Sequence, residues 1–165
     1  MSRGFVKEDD LENAGLDVPE RPVSAHPNYV TKHGYSALVQ LAADLEKQHQ
    51  LLSANKENTE AIAHLAIVNR DLRYVAARLE SALVTQPNAD ATQVLFGALV
   101  TVQDEEEKSH TYQIVGEDEA DIKAHKIAYT SPLATALIGQ KLDETVVWFR
   151  PAGNQYLIIT AINYS

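Results

Sequence analysis

The spacing of apolar positions changes character twice along the chain. Residues 1–28 have no apolar period; they are polar and acidic, and Pro19, Pro22 and Pro27 interrupt any helical phase. This stretch reads as a flexible acidic arm. From Thr31, a suitable N-cap, Leu38, Leu41, Leu45 and Leu52 recur at helical spacings of three and four, with Gln48 in the remaining seam position. A second arm follows Ser53-Ala54-Asn55-Lys56 and places Ile62, Leu65, Leu72, Ala76, Leu79 and Leu83 on a similar stripe, with Asn69 as its polar member. Each stripe is apolar on one side only, so each must be buried, and the short polar break makes the two arms antiparallel neighbours. Asn69 either faces Gln48 and sets the register or sits with it at the wet edge of the seam. The expected helical hairpin spans residues 29–86; Pro87 and Asn88 close it, and Thr85 to Thr92 reads as a linker.

Beyond the linker the period becomes strand-like. Val94-Leu95-Phe96, Leu99 to Val102, Thr111 to Val115, Lys126 to Tyr129, Thr145 to Phe149 and Tyr156 to Ile162 are short runs rich in β-branched and aromatic residues. Ser131-Pro132 opens a short helix over Leu133 to Ile138, which Gly139 ends. The expected class is α+β: an N-terminal antiparallel hairpin, then a small, mostly antiparallel sheet domain over residues 93–165 with one helix on its face.

Composition narrows the chemistry. With 23 Asp and Glu against 14 Lys and Arg the net charge is -9, so general affinity for a phosphate backbone is poor unless basic residues cluster locally. Four carboxylates lie between Glu8 and Glu12, as a solvated tail or a docking peptide. The chain has no cysteine, which excludes disulfides, thiolate metal sites and a cysteine nucleophile. The first ten residues lack the apolar core of a secretory signal, and no segment is long and apolar enough to span a membrane. A cytoplasmic location is expected.

The constellations of free-standing enzymes are missing. His26, His33, His49, His64, His110 and His125 do not pair at the i, i+4 spacing of a helical zinc site. Ser131 lies in Thr-Ser-Pro rather than a nucleophile elbow, and its expected role is to cap the short helix. Glycines are too scattered for a phosphate-cradling loop. Trp148 and Phe149 are expected in the core. No catalytic residue, cofactor or metal of the chain's own is expected.

Several segments match a known family in order and spacing. Val94-Leu95-Phe96-Gly97-Ala98, Tyr112-Gln113-Ile114-Val115-Gly116, Asp118-Glu119-Ala120-Asp121, Ser131-Pro132-Leu133, Ala136-Leu137-Ile138-Gly139, Pro151-Ala152-Gly153 and Ala161-Ile162-Asn163-Tyr164 resemble motifs of the bacterial GreA/GreB transcription elongation factors. In the hairpin, Val30-Thr31 with Gly34-Tyr35 resembles the start of the family's first helix, and Arg70-Asp71-Leu72-Arg73-Tyr74 resembles GreB. The resemblance implies an FKBP-like C-terminal domain that docks at the secondary channel of RNA polymerase, and a coiled coil that enters the channel. Asp118, Glu119, Asp121, Ser131 and Pro132 are the implied docking residues. Arg70 and Arg73 are the implied RNA-facing basic residues, steering the nascent RNA 3′ end within the polymerase, with DNA met only indirectly and no membrane. Rotamase activity does not follow from the fold.

In that family two acids at the hairpin tip hold a magnesium ion at the polymerase active site and stimulate cleavage of backtracked RNA. Carboxylates supply the hard oxygen ligands this needs. Here, aligning the second arm without gaps places Leu51 and Ala54 on the two acidic positions, and matching Lys56-Glu57-Asn58 to the tip instead places Ala54 and Glu57 there. Glu57 and Glu60, three apart and on one face if the second helix begins there, are the candidate replacements; acids in a first turn also serve the helix dipole. The first arm is short for the family as well, about 35 Å at 1.5 Å per residue. The alternatives are therefore a channel-binding factor that stimulates cleavage, one that occupies the channel without cleavage, a hairpin interaction module for another client, and an isomerase by fold analogy.

Overall fold

The computed structural model of the protein describes residues 18–55, 57–86 and 92–164. The acidic run Glu8 to Glu12 lies outside them. Two units divide the chain, residues 18–25 with Leu38–Ser81, and His26–Ala37 with residues 82–164.

The hairpin helices are α1 (Lys32–Ser53) and α2 (Thr59–Ser81). Thr31 caps α1, its Oγ1 accepting the Gly34 N–H at 2.9 Å. Asn58 caps α2, its Oδ1 accepting from the N–H groups of Glu60 at 2.9 Å and Ala61 at 3.3 Å. Leu38, Leu45, Val68 and Val75 form the buried seam, with Ala42, Leu52, Leu72 and Leu79 packed against it.

Leu38, Leu45, Leu52, Leu72 and Leu79 lie on the seam as expected, and the positions between them are one residue off. Ala42 and His49 replace Leu41 and Gln48 on α1; Leu41 is 41% exposed and Gln48 is also exposed. From Leu38 to Leu45 a helix can step by three then four or by four then three, and the larger residue at 41 does not decide between them. On α2 the buried residues are Ala61, Ala66, Val68, Val75 and Arg78, whereas Ile62 is half-buried, Ala76 is exposed and Leu83 lies beyond the helix. Asn69 therefore pairs with His49, its Oδ1 2.7 Å from Nδ1, instead of Gln48.

The second unit is built on a five-stranded sheet. Its strands are β3 (Leu99–Gln103), β4 (Ser109–Val115), β5 (Lys126–Ala128), β6 (Thr145–Trp148) and β7 (Gln155–Asn163), in the order β5-β4-β3-β7-β6. All neighbours are antiparallel except β4 and β5. Two further short strands, not expected from the sequence, pair in parallel: β1 (Tyr29–Val30) and β2 (Leu83–Val84). Gly116 passes close to β1, since a Cβ there would stand 2.3 Å from the Tyr29 carbonyl oxygen.

The core lies between this sheet and α3 (Pro132–Leu137), with Leu133, Ala134 and Leu137 covering Val100, Val102, Ile114, Leu157 and Ile159. In β7 the inward residues run Leu157, Ile159 and then Ile162. The strict two-residue period breaks because the register with β3 shifts between Thr101 and Val102, leaving Thr160 as an extra residue. Its hydroxyl donates to the Thr101 carbonyl at 3.2 Å.

Val94-Leu95-Phe96 is not a strand. Its backbone groups are taken up singly: Val94 N–H by Gln140 O, Val94 O by Gly139 N–H, and Leu95 N–H by the Tyr164 hydroxyl. That hydroxyl also donates to Gln93 O at 2.5 Å, which ties the end of the chain to the start of the domain. Phe96 packs with Tyr29 and Tyr129, the three ring centroids lying 5.4–6.0 Å apart.

At the β3–β4 turn the Asp104 carboxylate accepts the N–H groups of Glu106 at 2.8 Å and Lys108 at 2.9 Å and lies 2.9 Å from His110 Nε2. The His110 hydrogen bond chiefly, and then the Lys108 amide, hold its carboxyl below the usual range. A carboxylate with a lowered folded pKa adds stability that is complete above its unfolded value of about 3.9 and is lost as pH falls through the folded value. Asp104→Asn should therefore flatten the acid limb of a melting-temperature profile while moving the neutral plateau by a constant amount; an unchanged acid limb would contradict this account. Leu137→Ala, in the core, should lower stability by about 2–5 kcal/mol in urea titrations. Leu51→Ala, at a residue 74% exposed, should stay within about 0.5 kcal/mol of the parent.

Candidate functional site

The sheet unit carries a groove of about 940 Å³. Its walls are apolar, from Tyr112, Ile127, Pro132, Trp148 and Phe149, and its rim is polar, with Asp121, His125, Lys126, Ser131 and Arg150. Local chemistry explains how each side arises. Asp121 pairs its backbone with Lys126 and accepts the Lys123 N–H on Oδ1 at 3.0 Å, nucleating a single 3-10 turn, Ile122–Ala124, which ends at His125 with φ 57°. That turn leaves Ile122 88% exposed at the groove edge. On the other side Ser131 caps α3, Oγ accepting from Ala134 N–H at 3.3 Å, with Pro132 at the first helical position.

The β6 strand ends at Trp148, so Phe149, expected in the core, is 67% exposed and lines the groove instead. Trp148 packs on the core with one part and lines the groove with another, and the Arg150 guanidinium carbon stands 5.2 Å from its ring centroid. Burial raises the Tyr112 phenol above its ordinary value, and the Asp104 charge adds to this, so it remains a neutral donor. A second cleft of about 700 Å³ shares Pro132 and Phe149 as lining residues. Among the groove residues that sequence reasoning missed, Ile122 and Phe149 are the strongly exposed apolar ones. A large apolar residue beside a turn-forming aspartate was the available signal for Ile122.

The five residues singled out for docking are not equivalent. Asp121, Ser131 and Pro132 meet at the groove, and Asp118 is exposed outside it. Glu119 is turned inward, with its side chain 7% exposed. It accepts the Thr31 hydroxyl on Oε1 at 2.5 Å and lies 3.3 Å from Lys126 Nζ through Oε2. This sets a carboxylate against the first turn of α1, where the helix dipole favours negative charge. There is no room to spare, as a Cβ on Gly34 would lie 2.6 Å from Glu119 Oε1.

At the hairpin tip Leu51 and Ala54 are exposed. Glu57 sits in the turn before the Asn58 cap, and Glu60 in the first turn of α2, so the helix start falls between them rather than carrying both. Among the described residues no group of three His, Asp or Glu could hold a metal ion. The donor set does not fit the paired carboxylates that magnesium needs: Leu51 and Ala54 offer no oxygen ligand, and Glu57 and Glu60 are not on a common helical face.

Arg70 and Arg73 lie on α2 at helical spacing and both are engaged by acids. Arg70 Nε and Nη2 are each 3.1 Å from Asp71 Oδ1, and Arg73 Nε is 3.0 and 3.1 Å from the two oxygens of Glu20. Among the described residues no helix is long and apolar enough to cross a membrane.

Comparison with known proteins bears on residues 88–164, which match the family model described as transcription elongation factor GreA/GreB, C-terminal part. Over 124 residues the chain is 37% identical to transcription elongation factor GreA of Sphingopyxis alaskensis, covering 74% of this chain and 78% of that one. It is 40% identical over 120 residues to GreA of Pelobacter propionicus, covering 72% and 76%. With transcription elongation factor GreB of Pseudomonas aeruginosa it shares 38% over 117 residues, 68% and 70% of the two chains.

The Glu119 contact predicts non-additive substitution effects. Gly34→Ala and Glu119→Ala should each lower the unfolding free energy measured by urea titration, Glu119→Ala by about 1–3 kcal/mol through the polar groups it strands. In a double-mutant cycle Gly34→Ala should cost clearly less once Glu119 is alanine; strictly additive losses would contradict the crowding described.

Proposed function

This chain belongs to the GreA/GreB family of transcription elongation factors, and from that premise we propose that it binds RNA polymerase at the secondary channel and regulates elongation there. The observation that carries the docking half of this reading is the groove beside α3, where exposed Ile122 and Phe149 flank Asp121, Ser131 and Pro132. An apolar floor with a mixed-charge rim fits a protein segment better than a nucleic acid, whose phosphates call for a basic surface. The hairpin is the part that enters the channel, and Arg70 and Arg73 are the residues turned to the nascent RNA 3′ end. DNA is met only through the polymerase, and the protein works in the cytoplasm without a membrane partner.

It acts on the polymerase reaction as a factor, not as an enzyme in its own right. For the tip, occupation of the channel without cleavage is the favoured mode, because Leu51 and Ala54 stand in the places where the family resemblance puts metal-binding acids. The second mode, cleavage stimulation, would draw on Glu57 and Glu60 and on magnesium of the polymerase.

Titration of the cognate RNA polymerase should give stoichiometric binding. Ile122→Ser and Phe149→Ser, both at exposed positions, should weaken it at least tenfold without lowering the melting temperature. Added to backtracked elongation complexes, the bound factor should leave transcript length unchanged while altering the elongation rate. Shortened transcripts that vanish on Glu57→Ala or Glu60→Ala would replace occupation by cleavage, and absence of binding would end the polymerase reading.

A further inference from the structure

Residues 18–25 belong to the same unit as the hairpin, and they lie on its basic face. Glu20 sets both carboxylate oxygens against the Arg73 fork, reaching Nε at 3.0 and 3.1 Å and also Nη2. The next residue, Arg21, lays its guanidinium over the Tyr74 ring with the carbon 3.8 Å from the centroid, and its Nη1 lies 3.4 Å from Asp71 Oδ1. Asp71 is the carboxylate that also takes Arg70. Arg70, Arg73 and Tyr74 are spaced by three and four on α2 and so share one face.

These contacts have the chemical form of a bound nucleotide. A planar carboxylate on an arginine fork occupies the bidentate position that a phosphate takes. A flat guanidinium stacked on a tyrosine occupies the place of a base on an aromatic platform. We propose that residues 18–25 are an internal plug on a nucleotide-binding face of α2, with Glu20 standing for a phosphate on Arg73 and Arg21 for a base on Tyr74. The Glu20 carboxyl is held below its ordinary range by the Arg73 hydrogen bond, so it stays charged and in place.

The plug is built to be displaced. The Arg73 and Glu20 side chains are 57% and 62% exposed, and ion pairs in that setting are screened by water and contribute little individually. A nucleic acid strand brings several phosphates and bases at once, and can exchange each plug contact for one of the same kind. A strand held against the face by the polymerase outcompetes the plug, whereas stray RNA in solution does not. The proposal rests on the reading that Arg70 and Arg73 face RNA, and adds that the chain itself covers them until that RNA arrives.

The test measures fluorescence anisotropy of a short labelled single-stranded RNA with the full chain at low ionic strength. Four proteins are needed besides the parent: Glu20→Gln, Glu106→Gln as a control for one lost charge on the sheet unit, and Arg73→Ala in each of these two backgrounds. Glu20→Gln should bind about fivefold more tightly than Glu106→Gln, the ratio that a surface ion pair at the upper end of its usual range can supply. Arg73→Ala should remove that difference. If Glu20→Gln and Glu106→Gln bind alike while Arg73→Ala weakens both backgrounds, the plug is overturned and the RNA-facing reading stands. If Arg73→Ala changes nothing in either background, the RNA-facing reading falls and the plug with it.

Discussion

A helix with an apolar stripe along one side has to bury that stripe, and in this chain α1 and α2 bury theirs against each other. The seam of Leu38, Leu45, Val68 and Val75 fixes the rotation of each helix about its axis. Every other feature of the hairpin follows from that rotation. With Val68 and Val75 turned in, Arg73 is turned out, where its guanidinium can meet an external group. With Leu45 and Leu52 on the seam side, Leu51 is carried to the outside of the tip. One residue of rotation, about 100°, would exchange these roles. His49 and Asn69, a single polar pair within an apolar seam, help select one register from the two that the leucines alone would allow.

The sheet unit depends on a different constraint, the pairing of buried backbone groups. Where regular strands end, side chains and single backbone contacts take over. Tyr164 serves both Leu95 and Gln93, Asp121 turns the chain into β5, and Ser131 starts α3. The last two devices also build the opposite edges of the groove. A turn-forming aspartate and a helix-capping serine thus have structural work at the proposed docking groove, so that their presence in a motif cannot by itself separate a structural from a docking role.

Much of this was legible in the sequence, for identifiable reasons. Strong periodicity announced both helices and five strands, and Thr31 and Ser131 announced helix starts because caps are local chemistry. On α1 the seam positions between Leu38, Leu45 and Leu52 were misread by one residue, since Leu41 outweighs Ala42 on hydrophobicity while the choice belongs to the facing helix. Val94-Leu95-Phe96 has strand composition, yet its partners are a loop and the side chain of Tyr164, both distant in sequence. β1 and β2 are two residues each and carry no period at all. At the candidate site the types of residue were legible and their orientation was not. Glu119 belongs to the same acidic motif as Asp121, but its carboxylate is committed to Thr31 and Lys126, a fact that depends on residues 88 and 7 positions away.

The charge balance acquires a specific meaning once these pairings are known. A chain of net charge -9 repels nucleic acid at long range, and Arg70 and Arg73 on α2 are matched by acids of the same unit. Within a Debye length of about 8 Å at physiological salt, however, what a ligand meets is the local fork of Arg73 and not the net charge. Long-range repulsion with a local cationic site suppresses binding to free nucleic acid, which must approach through the overall field. It suppresses much less the binding of a strand delivered at close quarters by a protein partner. On the proposed function, selectivity for the delivered strand would arise without sequence-specific contacts, from the difference between the distance at which the molecule repels and the distance at which it can bind.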